Sequence, residues 1–152
     1  MILTGSADTV CPVTSPSALL WKWTDSQTVG LWDIRNLDRK LHSFESHTGS
    51  ITQLAWSPHS PLHFASAAED RRVHIWNLDH IGAEQTPDDA EDGPPELMFV
   101  HGGHTSTPSD LSWSPSARWY LSSTSEDNVL QVWEPSRHLR AEGEDVDAME
   151  LE

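Results

Sequence analysis

A displacement of 57 residues lays one part of this chain over another with no insertion in either copy. His47 falls on His104, Trp56 on Trp113, Ser57-Pro58 on Ser114-Pro115, Ser66 on Ser123, Glu69-Asp70 on Glu126-Asp127 and Trp76 on Trp133. Self-similarity at a fixed period is the mark of a repeat architecture, in which like units bury their apolar faces against one another. Each copy has the same order of parts. An alternating apolar run ends in Trp-Ser-Pro (51–58 and 111–115). A run of small residues follows (62–68 and 119–125), then an acidic turn, then a β-branched run ending in Trp (73–76 and 129–133). One further run precedes each His, at 40–44 and 97–101. Short alternating runs between polar turns predict antiparallel strands, four to a unit, and hence an all-β chain.

Four strands with a His and a terminal Trp at fixed offsets resemble the blade of a WD-repeat β-propeller, and Trp32-Asp33 keeps the dipeptide of that name. The resemblance implies a hydrogen-bonded tetrad in each blade: His47, Ser66, Asp70 and Trp76 in one, His104, Ser123, Asp127 and Trp133 in the next. A buried carboxylate needs donors, and an imidazole and a hydroxyl supply them. Ser, His and Asp also make nucleophilic triads, but a trio repeated at one spacing beside a structural Trp reads as scaffold, so no catalytic residue is expected. The first 39 residues carry part of a third copy, with Thr4, Asp8 and Trp32 at tetrad positions.

That copy is out of register. Asp and Trp are six residues apart in both full copies and 24 apart here, an excess of 18 residues at 10–27. A long hairpin loop is one reading, since closure entropy grows slowly with length. The sharper reading is a retained in-frame intron, because deleting 10–27 restores the blade. If translated, Leu19-Leu20-Trp21-Lys22-Trp23 is expected to form an exposed apolar patch. The domain reading is therefore a partial blade at 2–39, full blades at 40–79 and 96–135, an acidic loop at 80–95 between them and a tail at 136–152. That makes about two and a half blades of an expected seven, an incomplete propeller. Met1 opens directly into a predicted strand, so the chain reads as the C-terminal part of a longer protein or as a gene-model fragment.

The net charge of −15 is concentrated in two places. Glu84, Asp88, Asp89, Glu91, Asp92 and Glu96 fall within 82–96, six more acids fall within 141–152, and neither stretch holds a Lys or Arg. Without those twelve the balance is −3. Phosphate binding needs clustered basic residues, so direct nucleic-acid binding is disfavoured and a basic protein partner is expected. No stretch is apolar enough for a membrane span and no secretory leader is evident, so an intracellular, non-membrane protein is expected. The single cysteine, Cys11, excludes a disulfide framework. Among nine histidines, His101-Gly-Gly-His104 is the only close pair near acids. His104 already serves its blade, so neither a metal site nor a cofactor is expected.

Residues 81–104, with their acids followed by Gly93-Pro94-Pro95, resemble the retinoblastoma-binding histone-chaperone WD-repeat proteins, including the small subunit of chromatin assembly factor. Leu41-His42-Ser43-Phe44-Glu45-Ser46-His47 and Ser125-Glu126-Asp127-Asn128 are similar to the same family. The resemblance implies non-catalytic histone binding. Asp88, Asp89, Glu91 and Asp92 would pair with basic side chains of the first helix of histone H4, and Phe99 and Val100 would give it apolar contact. Glu126 and Asn128 would lie on a channel face that takes basic tails such as that of histone H3. A nuclear location follows, with partners in histone deacetylase, acetyltransferase, Polycomb or chromatin assembly complexes. The alternatives are a generic WD-repeat scaffold for non-histone partners and a fragment without independent function.

Overall fold

The structure is a computed structural model and describes residues 19–25, 27–33 and 36–136. The tetrad positions Thr4 and Asp8, the first half of the segment read as an insert and the acidic tail beyond residue 136 lie outside the described residues. Within them the chain is all-β apart from two short 3-10 turns, Leu78–His80 and Asp89–Glu91, and no helix is long and apolar enough to cross a membrane.

Three antiparallel sheets stand side by side. The first joins β1 (Leu19–Asp25), β2 (Thr28–Asp33) and β3 (Asn36–Glu45). The second joins β4 (Ile51–Trp56), β5 (His63–Ala68), β6 (Val73–Asn77) and β7 (Leu97–His101). The third joins β8 (Pro108–Trp113), β9 (Leu121–Ser125) and β10 (Leu130–Trp133). This is an open arc of propeller blades, and strands occupy both Trp-terminated segments as the sequence predicts. Pro108, which lacks a donor, stands at the first position of β8, where a ladder bond is least needed.

Two expectations about boundaries change. The strand before each His was read as part of the unit that the His begins. Instead β3 pairs with β2, and β7 pairs with β6, through Ile75↔Phe99 and Val73↔His101. Sequence repeat and sheet are thus offset by one strand: the run before the His closes the preceding sheet, and the His enters the next. The connection after each such strand, at 46–50 and 102–107, crosses to the next sheet, so one sequence repeat ties two sheets together covalently. Second, Leu19–Asp25, within the segment read as an insert, is a strand that pairs with β2 from Leu19↔Asp33 to Asp25↔Thr28.

The alternation of side chains along a strand gives the middle sheet two faces, and both are covered. Leu54, Phe64, Ala68 and Trp76 join Val29, Leu31 and Phe44 of the first sheet in one core. Phe44 meets the rings of Phe64 and Trp76 edge-on, at 5.1 and 5.2 Å between centroids. Ala65, Ala67, Val73 and Ile75, all fully buried, lie on the opposite face under Leu111, Trp113, Trp119 and Leu121 of the third sheet. Small residues on one side and large rings on the other let these sheets approach closely, and the Trp113 indole donates to the Ala55 carbonyl at 3.0 Å. Among the described residues the outer face of the third sheet has no such cover. The 57-residue offset puts Leu130 and Val132 where Val73 and Ile75 stand, yet they are 64% and 67% exposed.

Both β-hairpin turns after the small-residue strands use a left-handed residue, Arg71 (φ 66°) in one and Asn128 (φ 63°) in the other. Asp70 and Asp127 brace these turns by accepting from the backbone N–H two residues on. Gly49 packs directly on the first of them. A Cβ at residue 49 would stand 2.6 Å from the Asp70 backbone nitrogen, which cannot yield as a side chain could. Gly49→Ala should therefore lower the denaturant midpoint by an amount equivalent to about 1–3 kcal/mol. Gly102→Ala, whose added methyl meets nothing within 4 Å, serves as the control.

Candidate functional site: two tetrads and an acidic rim loop

The first tetrad is a continuous chain of hydrogen bonds. His47 Nδ1 bonds Asp70 Oδ2 at 2.8 Å, His47 Nε2 bonds Ser66 Oγ at 2.8 Å, and the Trp76 indole N–H donates to the same Oγ at 2.8 Å. With the proton on Nδ1, every group finds its complement: Ser66 donates to Nε2 and accepts from Trp76. Asp70 also accepts from the Thr48 and Arg72 backbone. The bonds from His47 and these N–H groups outweigh the cost of burial and hold its carboxyl at about 2. The arrangement has the parts of a nucleophilic triad, but Ser66 is fully buried and its oxygen is already engaged by the Trp76 indole, so no substrate carbonyl can reach it.

The second tetrad is made only in part. His104 Nε2 bonds Ser123 Oγ at 2.6 Å, and Trp133 donates to that oxygen at 3.0 Å. The link to Asp127 is missing: His104 Nδ1 is buried without a partner, and Asp127 is exposed and accepts from the Ser125 and Thr105 hydroxyls instead. One substitution between the copies accounts for much of this. Ala68, the counterpart of Ser125, has no hydroxyl, so Asp70 is left to His47, whereas Ser125 draws Asp127 into its own turn. Trp32 is the described member of the third set, and its indole N–H has no partner among the described residues.

A cluster that spacing did not reveal lies beside the first tetrad. His74 stacks on His47 with 3.6 Å between centroids and 8° between planes, and His47, Asp70 and His74 bring potential ligand atoms within 4.8 Å of one another. Each imidazole offers its lone pair in its own plane. Two parallel stacked rings cannot direct both at one ion, and both His47 nitrogens are already bonded. The cluster is therefore read as structural. Burial, reinforced by the stacked His47 ring and opposed by Asp70, pushes His74 down to about 3, so it stays neutral inside the fold. The available signal was period-two placement, since His74 shares its face of β6 with Trp76. The His101 and His104 rings, close in sequence, lie edge-on with 5.6 Å between centroids, and His101 Nε2 bonds Gln131 while its ring stacks on Trp133 at 4.1 Å.

The acidic residues sit on a loop between β6 and β7, at the rim of the middle sheet. Its two ends meet where the Asn77 N–H donates to the Glu96 carbonyl at 2.9 Å. Inside it, Gly82 (φ 76°) and Gly93 (φ 131°) turn the chain, Gln85 donates to the Gly93 carbonyl, and Ala90 and Glu91 N–H donate to Thr86 and Asp88 carbonyls. Asp88, Glu91 and Asp92 are exposed and pair with no basic side chain of the described residues. The Asp89 side chain is outside the described set. Glu96, counted with these acids in the sequence, is different. It is 4% exposed and bonds His42 Nε2 of β3 at 2.7 Å.

Phe99 and Val100, read together as contacts for one helix, point to opposite faces of β7. Val100 is 37% exposed, while Phe99 packs on Trp133 with centroids 5.8 Å apart. Glu126 and Asn128 are both exposed on the turn before β10, where Asn128 is also the left-handed turn residue.

Comparison with known proteins agrees with this architecture. The WD domain, G-beta repeat family matches residues 38–77 and 95–134, the same phase as the sequence repeat. Among curated proteins, the chain is similar to the histone acetyltransferase type B subunit 2 of Debaryomyces hansenii, at 40% identity over 121 residues. The match covers 75% of this chain and 29% of that protein, so the chain spans under a third of its relative.

Two stability measurements test the tetrads. His47→Ala should cost about 2–4 kcal/mol, since it orphans a buried hydroxyl and a carboxylate, and His104→Ala about half as much. His74 adds a pH dependence. Its folded pKa lies below the unfolded value of 6.5, so below pH 6.5 the unfolded chain binds a proton that the native chain refuses. Stability is then lost as pH falls from 6.5 toward 3, on the order of 2 kcal/mol by pH 5 from this group. His74→Leu should flatten that limb, as read by denaturant melts at each pH.

Proposed function

Because this chain belongs to the WD-repeat family, we propose that it is a non-catalytic histone-binding scaffold whose rim loop takes a cationic helix, in the first instance the first helix of histone H4. The observation that carries the reading is the loop itself. Asp88, Glu91 and Asp92 stand exposed, unneutralised and close in sequence on a loop rooted at the sheet rim, with the exposed Val100 on the strand that follows. Asp89 lies between them. An amphipathic basic helix matches this pattern, with Arg and Lys for the carboxylates and an apolar stripe for Val100. Charge-assisted pairs of this kind govern encounter rate and specificity, and apolar contact contributes to residence time. The similarity to a subunit of a histone acetyltransferase supports the choice of partner.

The same reading makes the exposed Glu126 and Asn128 a second contact for a basic tail such as that of histone H3. It places the protein in the nucleus with subunits of acetyltransferase, deacetylase, Polycomb or chromatin assembly complexes. No cofactor enters it.

Fluorescence titration of the full chain with an H4 first-helix peptide tests the proposal. Replacing Asp88, Glu91 and Asp92 together by Asn, Gln and Asn should weaken binding about 10- to 100-fold at moderate salt and flatten its salt dependence. Unchanged affinity in that variant would favour a scaffold for non-histone partners.

A further inference from the structure

We propose that Glu96 and His42 are positioning residues for the acidic loop: their bond latches the foot of the loop to the neighbouring sheet and so sets the direction in which Asp88 to Asp92 leave the rim. This rests on the reading of that loop as the binding element.

The argument starts from an anomaly of burial. Of the six acids between 82 and 96, Asp88, Glu91, Asp92 and Glu84 are exposed, whereas Glu96 is 4% exposed. A carboxylate leaves water only at a high cost unless a donor meets it. The donor is His42, on β3, a strand of the preceding sheet, and it reaches Glu96 Oε1 at 2.7 Å. The imidazole is itself held in place, lying edge-on to the buried Phe44 ring with 4.7 Å between centroids. Phe44 in turn belongs to the core shared by the first two sheets. The latch is therefore anchored in the interface between blades rather than in the loop.

The other bonds at the loop foot join it to its own sheet or to itself. The Asn77 N–H donates to the Glu96 carbonyl, the Leu97 N–H donates to the Pro94 carbonyl at 2.9 Å, and Asn77 Oδ1 accepts from the Asp79 N–H. These close the loop, and Leu78, Ile81 and Leu97 add non-directional apolar packing against the core shared with the first sheet. The Glu96–His42 bond is a directional side-chain hydrogen bond from the loop foot to the first sheet, and Gly93-Pro94-Pro95 stiffens the three residues before it. Through that short rigid piece, fixing Glu96 fixes the approach to Asp92. Without His42, the buried carboxylate is relieved most easily by turning out to water, which carries the loop foot with it.

Two readouts on the full chain test this. Cleavage by a glutamate-specific protease at Glu84 and Glu91 reports the freedom of the loop, and titration with the H4 first-helix peptide reports its use. His42→Ala and Glu96→Ala should each speed cleavage and weaken peptide binding about ten-fold, with the salt slope of binding unchanged because the contacting acids remain. Glu96→Gln, which keeps an acceptor for the imidazole, should stay within about three-fold of the parent protein. If His42→Ala does not fold, His42→Leu, which fills the space of the ring but offers no donor to the carboxylate, takes its place and should show the same loosening. Parent-like cleavage and binding in the folded His42→Ala or His42→Leu protein overturns the proposal. So does a flattened salt slope in place of looser cleavage. If the parent protein does not bind the peptide, the histone reading fails, while the cleavage rates still decide the latch.

Discussion

The structure depends on burial of both faces of one four-stranded sheet. Ala65, Ala67, Val73 and Ile75 lie under the rings and leucines of the third sheet, and Phe64, Ala68 and Trp76 lie against the first. A sheet is stable when its apolar faces are covered, and a repeat protein achieves this by making each unit the cover of the next. The tetrads belong to this arrangement. Ser66 and Trp76 share the face turned to the first sheet, and their counterparts Ser123 and Trp133 stand in register on the third. Each hydrogen-bonded chain thus spans a seam between sheets, with its His arriving from the connection that crosses that seam.

This placement separates what holds the fold from what can meet a partner. The buried Ser, His and Asp groups satisfy one another and are closed to substrate. The charge available to a partner is on the rim, in a loop whose glycines and internal hydrogen bonds shape it and whose foot is tied to two sheets. The acids of that loop differ in role by burial alone. Glu96 faces inward to His42, and Asp88, Glu91 and Asp92 face water.

Much of the fold was legible because its determinants are periodic. The 57-residue offset, the alternation within each run and the His, Ser, Asp and Trp spacing name the strands and one complete tetrad. Four features were not legible, each for a physical reason. Which sheet a strand joins depends on hydrogen-bond pairing across a turn, so the strand before each His was placed one sheet too late. Asp127 matches Asp70 in spacing, yet the Ser125 hydroxyl competes for it where Ala68 cannot. Glu96 looked like one more loop acid because its partner, His42, is 54 residues away. Leu19–Asp25 carries no repeat signature, and its pairing to β2 follows from adjacency rather than from any motif.

The central claim is that the middle sheet, covered on both faces, is the rigid base from which the acidic loop projects. Native-state hydrogen exchange on the full chain tests it most directly. The account predicts that the slowest amides are those of β5 and β6, from His63 to Ala68 and from Val73 to Asn77, while the amides from Glu84 to Asp92 exchange orders of magnitude faster. Slowest exchange in the third sheet, or protection of the loop equal to that of β6, would contradict it.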